Sequence, residues 1–134
     1  MINQNKMLSN VLKINNLYFE EIVFKATGEN AEEGVSANVG FHEDHCLKQD
    51  MLDIRLVCEV DVENVFEMRI CLKGIFEVGD KENAERFVPN AIAIMFPYLR
   101  SQVSLLTAQP NTPTIVLKPI NINKFLEESK RRKD

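Results

Sequence analysis

Residues 51–78 read MLDIRLVCEVDVENVFEMRICLKGIFEV. The stretch alternates twice. Leu52, Ile54, Leu56, Cys58, Val60 and Val62 fall on one face of an extended chain, and Asp53, Arg55, Glu59 and Asp61 fall on the other. After Glu63-Asn64 the pattern restarts. Phe66, Met68, Ile70, Leu72, Phe76 and Val78 oppose Glu67, Arg69, Lys73 and Glu77. A period of two over this length predicts two strands with one buried and one wet face. Glu63-Asn64 between them reads as a tight hairpin turn. One wet face implies an antiparallel sheet, since a parallel sheet is covered on both sides.

Working upstream, residues 35–42 alternate as well, with Val35, Ala37, Val39 and Phe41 on the apolar side. Residues 43–50, EDHCLKQD, read as a polar loop. The segment 11–27 is a fourth strand. Leu12, Ile14, Tyr18, Ile22, Phe24 and Ala26 share one face, interrupted by Asn16 and Glu20, while Leu17, Phe19 and Val23 lie opposite. A strand apolar on both sides at a sheet edge points to a partner chain. Residues 27–34, TGENAEEG, form a polar connection.

Downstream the period changes. Asn83 caps a short turn through Val88, and Pro89 suits the first turn of a longer helix, where its missing N–H costs nothing. Ile92, Met95, Phe96, Leu99, Val103 and Leu106 recur at helical spacing,. Pro97 inside that run is expected to kink or restart the helix. Residues 109–121 hold Pro110, Pro113 and Pro119 with Ile115, Leu117 and Ile120 between them, which predicts a stiff extended loop. Asn121 or Asn123 then caps a last helix to about Lys133. The expectation is one α+β domain over 1–134, with a four-stranded antiparallel sheet over about 11–78. Two helices, about 84–108 and 122–133, pack on one face.

The chain has 134 residues and a net charge of −4, of which the tail Lys130-Arg131-Arg132-Lys133-Asp134 contributes +3 and residues 1–129 contribute −7. An acidic body argues against nucleic acid as a partner. The longest apolar run, Ala91–Phe96, falls far short of the ~20 residues that span a bilayer, so stable membrane insertion is not expected. The N-terminus leads into no signal-peptide core. Three widely spaced cysteines, Cys46, Cys58 and Cys71, argue against a disulfide framework and fit a reducing, cytoplasmic setting,.

Chemistry-bearing motifs are sparse. His42, Asp44, His45 and Cys46 are the one metal-like cluster, and they are crowded where zinc sites draw on spaced pairs,. No phosphate loop, nucleophile elbow or zincin motif occurs. The strand carboxylates alternate with Arg55, Arg69 and Lys73, as a solvated face does. No catalytic residue, metal or cofactor is therefore assigned. A proline-stiffened loop rich in Ile, Val and Leu is the unusual feature. Such a segment either lids its own core or holds an extended peptide in an apolar groove.

Gly74-Ile75-Phe76, Pro89-Asn90, Phe96-Pro97-Tyr98-Leu99-Arg100, Leu106-Thr107 and then Pro113, Ile115, Leu117, Pro119, Ile120 and Asn121 together resemble the SecB protein-export chaperone family. Leu17–Phe24 fits that family's first strand. The resemblance implies a homo-oligomer, a dimer of dimers, that holds unfolded preproteins without ATP and passes them to the SecA motor. It assigns a client-binding groove to Phe96, Pro97, Tyr98, Pro113, Ile115, Leu117 and Pro119. Glu21 matches an acidic position of the family's motor-docking surface, whereas Lys25 and Arg69 stand where acids are usual and Glu67 where an apolar residue is usual. Some SecB-like proteins serve a dedicated client such as an antitoxin, which is the alternative role.

Overall fold

The computed structural model describes residues 12–79 and 81–133. Val11 and Asp134 of the expected elements, and the side chain of Asn83, lie outside the described residues. Four strands come first: β1 (Lys13–Ala26), β2 (Asn38–Lys48), β3 (Met51–Val62) and β4 (Phe66–Glu77). A 3₁₀ segment, Lys81–Phe87, leads into α1 (Val88–Thr107), and α2 (Ile122–Lys133) ends the fold. The sheet is antiparallel throughout, in the order β1-β4-β3-β2.

β3 and β4 behave as their alternation predicts. Leu52, Ile54, Leu56, Cys58, Val60 and Val62 are buried on one face, facing Phe66, Met68, Ile70, Leu72 and Phe76 of β4. The hairpin between them is tight. Asn64 takes a positive φ of 66°, which asparagine tolerates better than most residues,. The Val65 N–H donates to the Val62 carbonyl at 2.9 Å.

β1 departs from simple alternation. Its register against β4 slips between Ile14 and Asn16 and again between Phe19 and Glu21. Each extra residue, Asn15 and Glu20, is a bulge that flips the following side chains to the other face. Ile14, Leu17, Phe19, Ile22 and Phe24 therefore oppose the core-facing residues of β4, while Tyr18 and Val23 oppose Lys73 and Arg69 on the outer face. The expected grouping of Tyr18 with Ile14 and of Leu17 and Phe19 with Val23 is corrected accordingly. The polar residues that interrupt the pattern, Asn15-Asn16 and Glu20, mark the bulges. Phe24 stacks on Phe66 with ring centroids 5.2 Å apart.

β2 is longer than its apolar pattern and starts later. Val35 and Ala37 precede it, and residues 43–48, expected to be loop, are strand. Only Gln49-Asp50 turns the chain, with Gln49 at φ 57°. The pattern failed because Glu43 and His45 stand at core-facing positions, opposite Leu56 and Ile54. The strand accommodates them by pairing them. His45 Nδ1 contacts Glu43 Oε2, and its Nε2 lies 3.2 Å from Glu85 of the 3₁₀ segment. The Ser129 hydroxyl of α2 donates to the Glu43 carbonyl at 3.5 Å. The Glu43 side chain is 2% exposed. Burying a carboxylate is tolerated because a cation shares its site. The hydrogen bond to Glu43 is the first cause that raises the His45 pKa above its ordinary 6.5, ahead of the opposing burial.

α1 covers β3 and β4. Val88, Ala91, Ile92, Met95, Phe96, Leu99 and Val103 bury one stripe of it, at the spacing of a helix face,. Pro89 occupies its first turn. Pro97 lies inside the helix without ending it. The carbonyl that proline leaves without a donor belongs to Ala93, four residues earlier. Both residues are exposed, so water can satisfy that carbonyl. α1 approaches the sheet most closely at Gly74. A Cβ there would stand 2.6 Å from the ring of Phe76 and 3.0 Å from Met95 Sδ. α2 packs beside α1 over β2, with Phe125 edge-on to Phe41 at 6.3 Å. It is capped by Asn121, whose side-chain oxygen accepts the Lys124 N–H at 3.1 Å,.

Two outcomes follow for stability. Gly74→Ala should destabilise the fold by about 1–3 kcal/mol, the usual cost of overpacking, measured by urea unfolding. The pairing of His45 makes stability depend on pH. Because the folded pKa is raised, its contribution is full below about 6.5 and declines as pH rises through the higher folded value. Unfolding midpoints of the native chain should fall above neutrality, and His45→Gln should flatten that fall.

Candidate functional site

The connection 108–121 is extended and tied down along one edge. Arg100 Nε donates to the Leu117 carbonyl at 3.0 Å, and the Ser104 hydroxyl donates to the Ile115 carbonyl at 3.0 Å. The Ile115 N–H donates to Thr107 Oγ1 at 2.9 Å. The Thr107 hydroxyl in turn donates to the Val103 carbonyl at 2.8 Å. Residues 100, 104 and 107 recur at helical spacing, so one flank of α1 supplies all three anchors. The anchored groups belong to residues 115 and 117. That is the period of an extended strand.

The side chains follow the same period. Leu117 is 5% exposed and belongs to the core, and Ile115 packs against it. Thr114, Val116 and Lys118 point outward. Val116 is 71% exposed. Beside it on α1, Leu105 is 68% exposed. A shallow depression runs between Pro97, Ser101, Leu105 and Ala108 of the helix and Thr114 and Val116 of the loop.

The seven groove residues expected from sequence therefore separate. Pro97, Pro113 and Pro119 are at the surface, and Pro97 lines the depression. Tyr98 is 53% exposed, but its helical position turns it away from the flank that carries the loop. Phe96 is buried, its ring 5.7 Å from that of Phe41. Ile115 and Leu117 face inward beneath the loop. Leu105, Val116 and Thr114 were missed. The signal that could have found them is the strand period itself: if Leu117 is core, Val116 is not.

The outer sheet face is a lattice of ion pairs. Arg55 Nε lies 2.9 Å from Glu20 Oε1, Lys73 lies 2.7 Å from Asp53, and Arg69 contacts Glu21 and reaches Glu59 at 3.5 Å. The Glu21 carboxylate is thus shared with an arginine of the same chain. Cys71 sits beneath this lattice, its thiol donating to Glu20 at 3.3 Å. That bond, then the Arg55 guanidinium, holds the Glu20 carboxyl below its ordinary range. Burial pushes the Cys71 thiol up, and it pushes the Cys58 thiol up to about 12. Neither thiol is a ready nucleophile, since only the thiolate attacks. Strand alternation splits the metal-like cluster, with His42, Asp44 and Cys46 on the outer side and His45 on the core side. Among the described residues no helix is long and apolar enough to cross a membrane.

Comparison with known proteins adds to this geometry. The sequence profile of the family described as preprotein translocase subunit SecB matches residues 5–133. The fold is similar to that of the Rv1957 SecB-like chaperone of Mycobacterium tuberculosis, solved in complex with a ChAD peptide from the Rv1956 HigA1 antitoxin. The TM-score is 0.69 at 14% identity, over 85% of this chain and 94% of that one. The protein MJ0357 of Methanocaldococcus jannaschii is 40% identical over 52 residues, 37% of this chain. The match spans about a third of that relative's length, 34%.

The anchoring of the loop has a measurable consequence. Thr107→Val keeps the shape of a fully buried side chain but leaves the Ile115 N–H without its acceptor. The loss should be about 1–3 kcal/mol, with faster amide exchange at Ile115 and little change in the strands. Hydrogen exchange read by mass spectrometry or NMR checks it.

Proposed function

The chain belongs to the SecB family, and on that premise we propose that it is a holdase chaperone that binds unfolded polypeptide on the α1–loop surface. The observation that carries the reading is the depression between α1 and the loop. Its walls present Leu105 and Val116 outward on a backbone pinned by three side-chain anchors. An exposed apolar side chain is ordinary when isolated. Two beside a rigid extended segment, with Pro97 and Ala108 between, make a surface for the side chains of an extended peptide. Pro113 and Pro119 stiffen the segment from either end. Ile115 and Leu117 support it from beneath, and Phe96 does the same for the helix. Tyr98 extends the apolar surface over the far flank of α1.

The proposed cycle involves no covalent step and no nucleotide. Binding is sequence-tolerant because the surface is shallow and apolar. Release follows refolding or transfer of the client. The proposed setting is the cytoplasm. Assembly is proposed through β1, an edge strand that exposes Ile14 and Ile22 on the core-side face and Tyr18 on the outer face. Burial of such residues across a symmetric interface would yield the family's dimer of dimers.

A second reading, a dedicated client in place of general export, is favoured by the outer sheet face. The carboxylates there, Glu21 included, are engaged by Arg55, Arg69 and Lys73. A face neutralised from within offers little to a basic docking partner such as a SecA-type motor. The antitoxin peptide on the Mycobacterium tuberculosis relative is in keeping with this reading.

The holdase reading predicts that the protein suppresses aggregation of an unrelated unfolded protein without ATP. Leu105→Asp with Val116→Asp should weaken client binding at least about tenfold, because each apolar side chain contributes about 1.5–3 kcal/mol when buried. Sedimentation and circular dichroism should stay unchanged. Leu117→Asp should unfold the domain. Undiminished holdase activity in the Leu105/Val116 double variant would remove the site assignment, and no activity in the native protein would remove the function.

A further inference from the structure

The loop has a second edge. In an extended chain the N–H and C=O of alternate residues point to opposite sides. The Ile115 N–H, the Ile115 carbonyl and the Leu117 carbonyl are all bonded to α1. The main-chain groups of Thr114, Val116 and Lys118 therefore point away from α1. Among the described residues the N–H and C=O of Val116 make no hydrogen bond within the chain. The prolines respect the same parity. Pro113 and Pro119 are odd-numbered, so their missing N–H groups fall on the edge facing α1. The open edge keeps its donors at 114, 116 and 118. Between the two prolines the segment offers a short strand edge, bordered by the depression that Leu105 and Val116 line.

From this edge we infer that the loop recognises its client through the main chain, pairing Val116 and its flanking residues with one extended segment of non-native polypeptide. The inference rests on the holdase reading and specifies how that surface reads its ligand. The occupant must have free backbone N–H and C=O groups in extended form. A folded protein has already spent these in its own helices and sheets, and more than nine-tenths of its buried main-chain groups are paired. Main-chain pairing thus selects unfolded chain over folded chain without selecting a sequence, while the neighbouring depression favours apolar side chains at alternate positions. β1 and β2 also have open edges, but β1 is broken by its two bulges, which shorten any pairing register. The loop edge alone combines an unbroken parity with the exposed Val116 and Leu105.

The test uses the full chain and a fluorescent nine-residue apolar peptide that is extended when bound, read by anisotropy. Val116→Pro removes the open N–H and costs no hydrogen bond within the chain. Ile115 before it is already extended, as a residue preceding proline should be. Val116→Ala controls for the lost side chain. Val116→Pro should bind about tenfold more weakly than Val116→Ala, the loss expected for a main-chain hydrogen bond. Independently, N-methylation of the peptide at alternate residues should weaken binding to the native protein about tenfold in one parity and leave the other parity close to unmodified. This arm decides the matter if Val116→Pro does not fold. Equal affinity for both parities, or equal binding by the Pro and Ala variants, overturns main-chain recognition and leaves the holdase reading standing. Unchanged peptide affinity with a smaller sedimenting species for Val116→Pro assigns the edge to a second copy of the chain and also overturns it. No binding of any peptide by the native protein defeats both readings together.

Discussion

A four-stranded sheet with one apolar face must be covered, and α1 is the cover. Its buried stripe from Val88 to Val103 lies across β3 and β4, and Gly74 sets how near it comes. Everything beyond the helix inherits its position. The 3₁₀ segment brings Glu85 to His45, which lets β2 carry a buried carboxylate. The far end of the helix holds Thr107, fully buried, as the post to which the loop is tied. A small shift of α1 would move both attachments at once, because the contact at Gly74 has no slack.

The loop shows how one segment serves core and surface together. Strand period sends Ile115 and Leu117 down and Val116 up. Polar side chains on the flank of α1 satisfy the inner main-chain edge at a separation that a β-partner would otherwise fill. The result is a rigid, narrow ledge of extended chain. Apolar surface on a mobile loop would lose entropy on binding, whereas here that cost was met in folding. This preorganisation is what separates a peptide-holding surface from exposed hydrophobic residues scattered singly.

Much of the architecture was legible in the sequence. β3, β4, the hairpin at Glu63-Asn64, the helix from Pro89 and the cap at Asn121 follow from period, turn chemistry and capping alone. The faces of β1 did not, because a bulge at Asn15 and another at Glu20 reverse parity, and parity is all that a pattern reports. The second half of β2 was hidden by Glu43 and His45, whose pairing only the third dimension supplies. Pro97 read as a break, but its freed carbonyl faces water, so the helix continues. At the site the segment was legible and its orientation was not. Apolar residues in a loop look alike whether they face in or out, and the anchors from Arg100, Ser104 and Thr107 are what decide.

The central claim is that clients settle on the ledge and the adjacent flank of α1 while the core beneath stays intact. Methyl NMR of the full chain, titrated with an unfolded client, tests it directly. The account predicts chemical-shift changes concentrated at the Val116 and Leu105 methyl groups, with the buried methyls of Leu99 and Leu56 near their unliganded positions. Saturable binding that leaves Val116 and Leu105 unmoved, or that perturbs the core methyls as strongly as theirs, would contradict it.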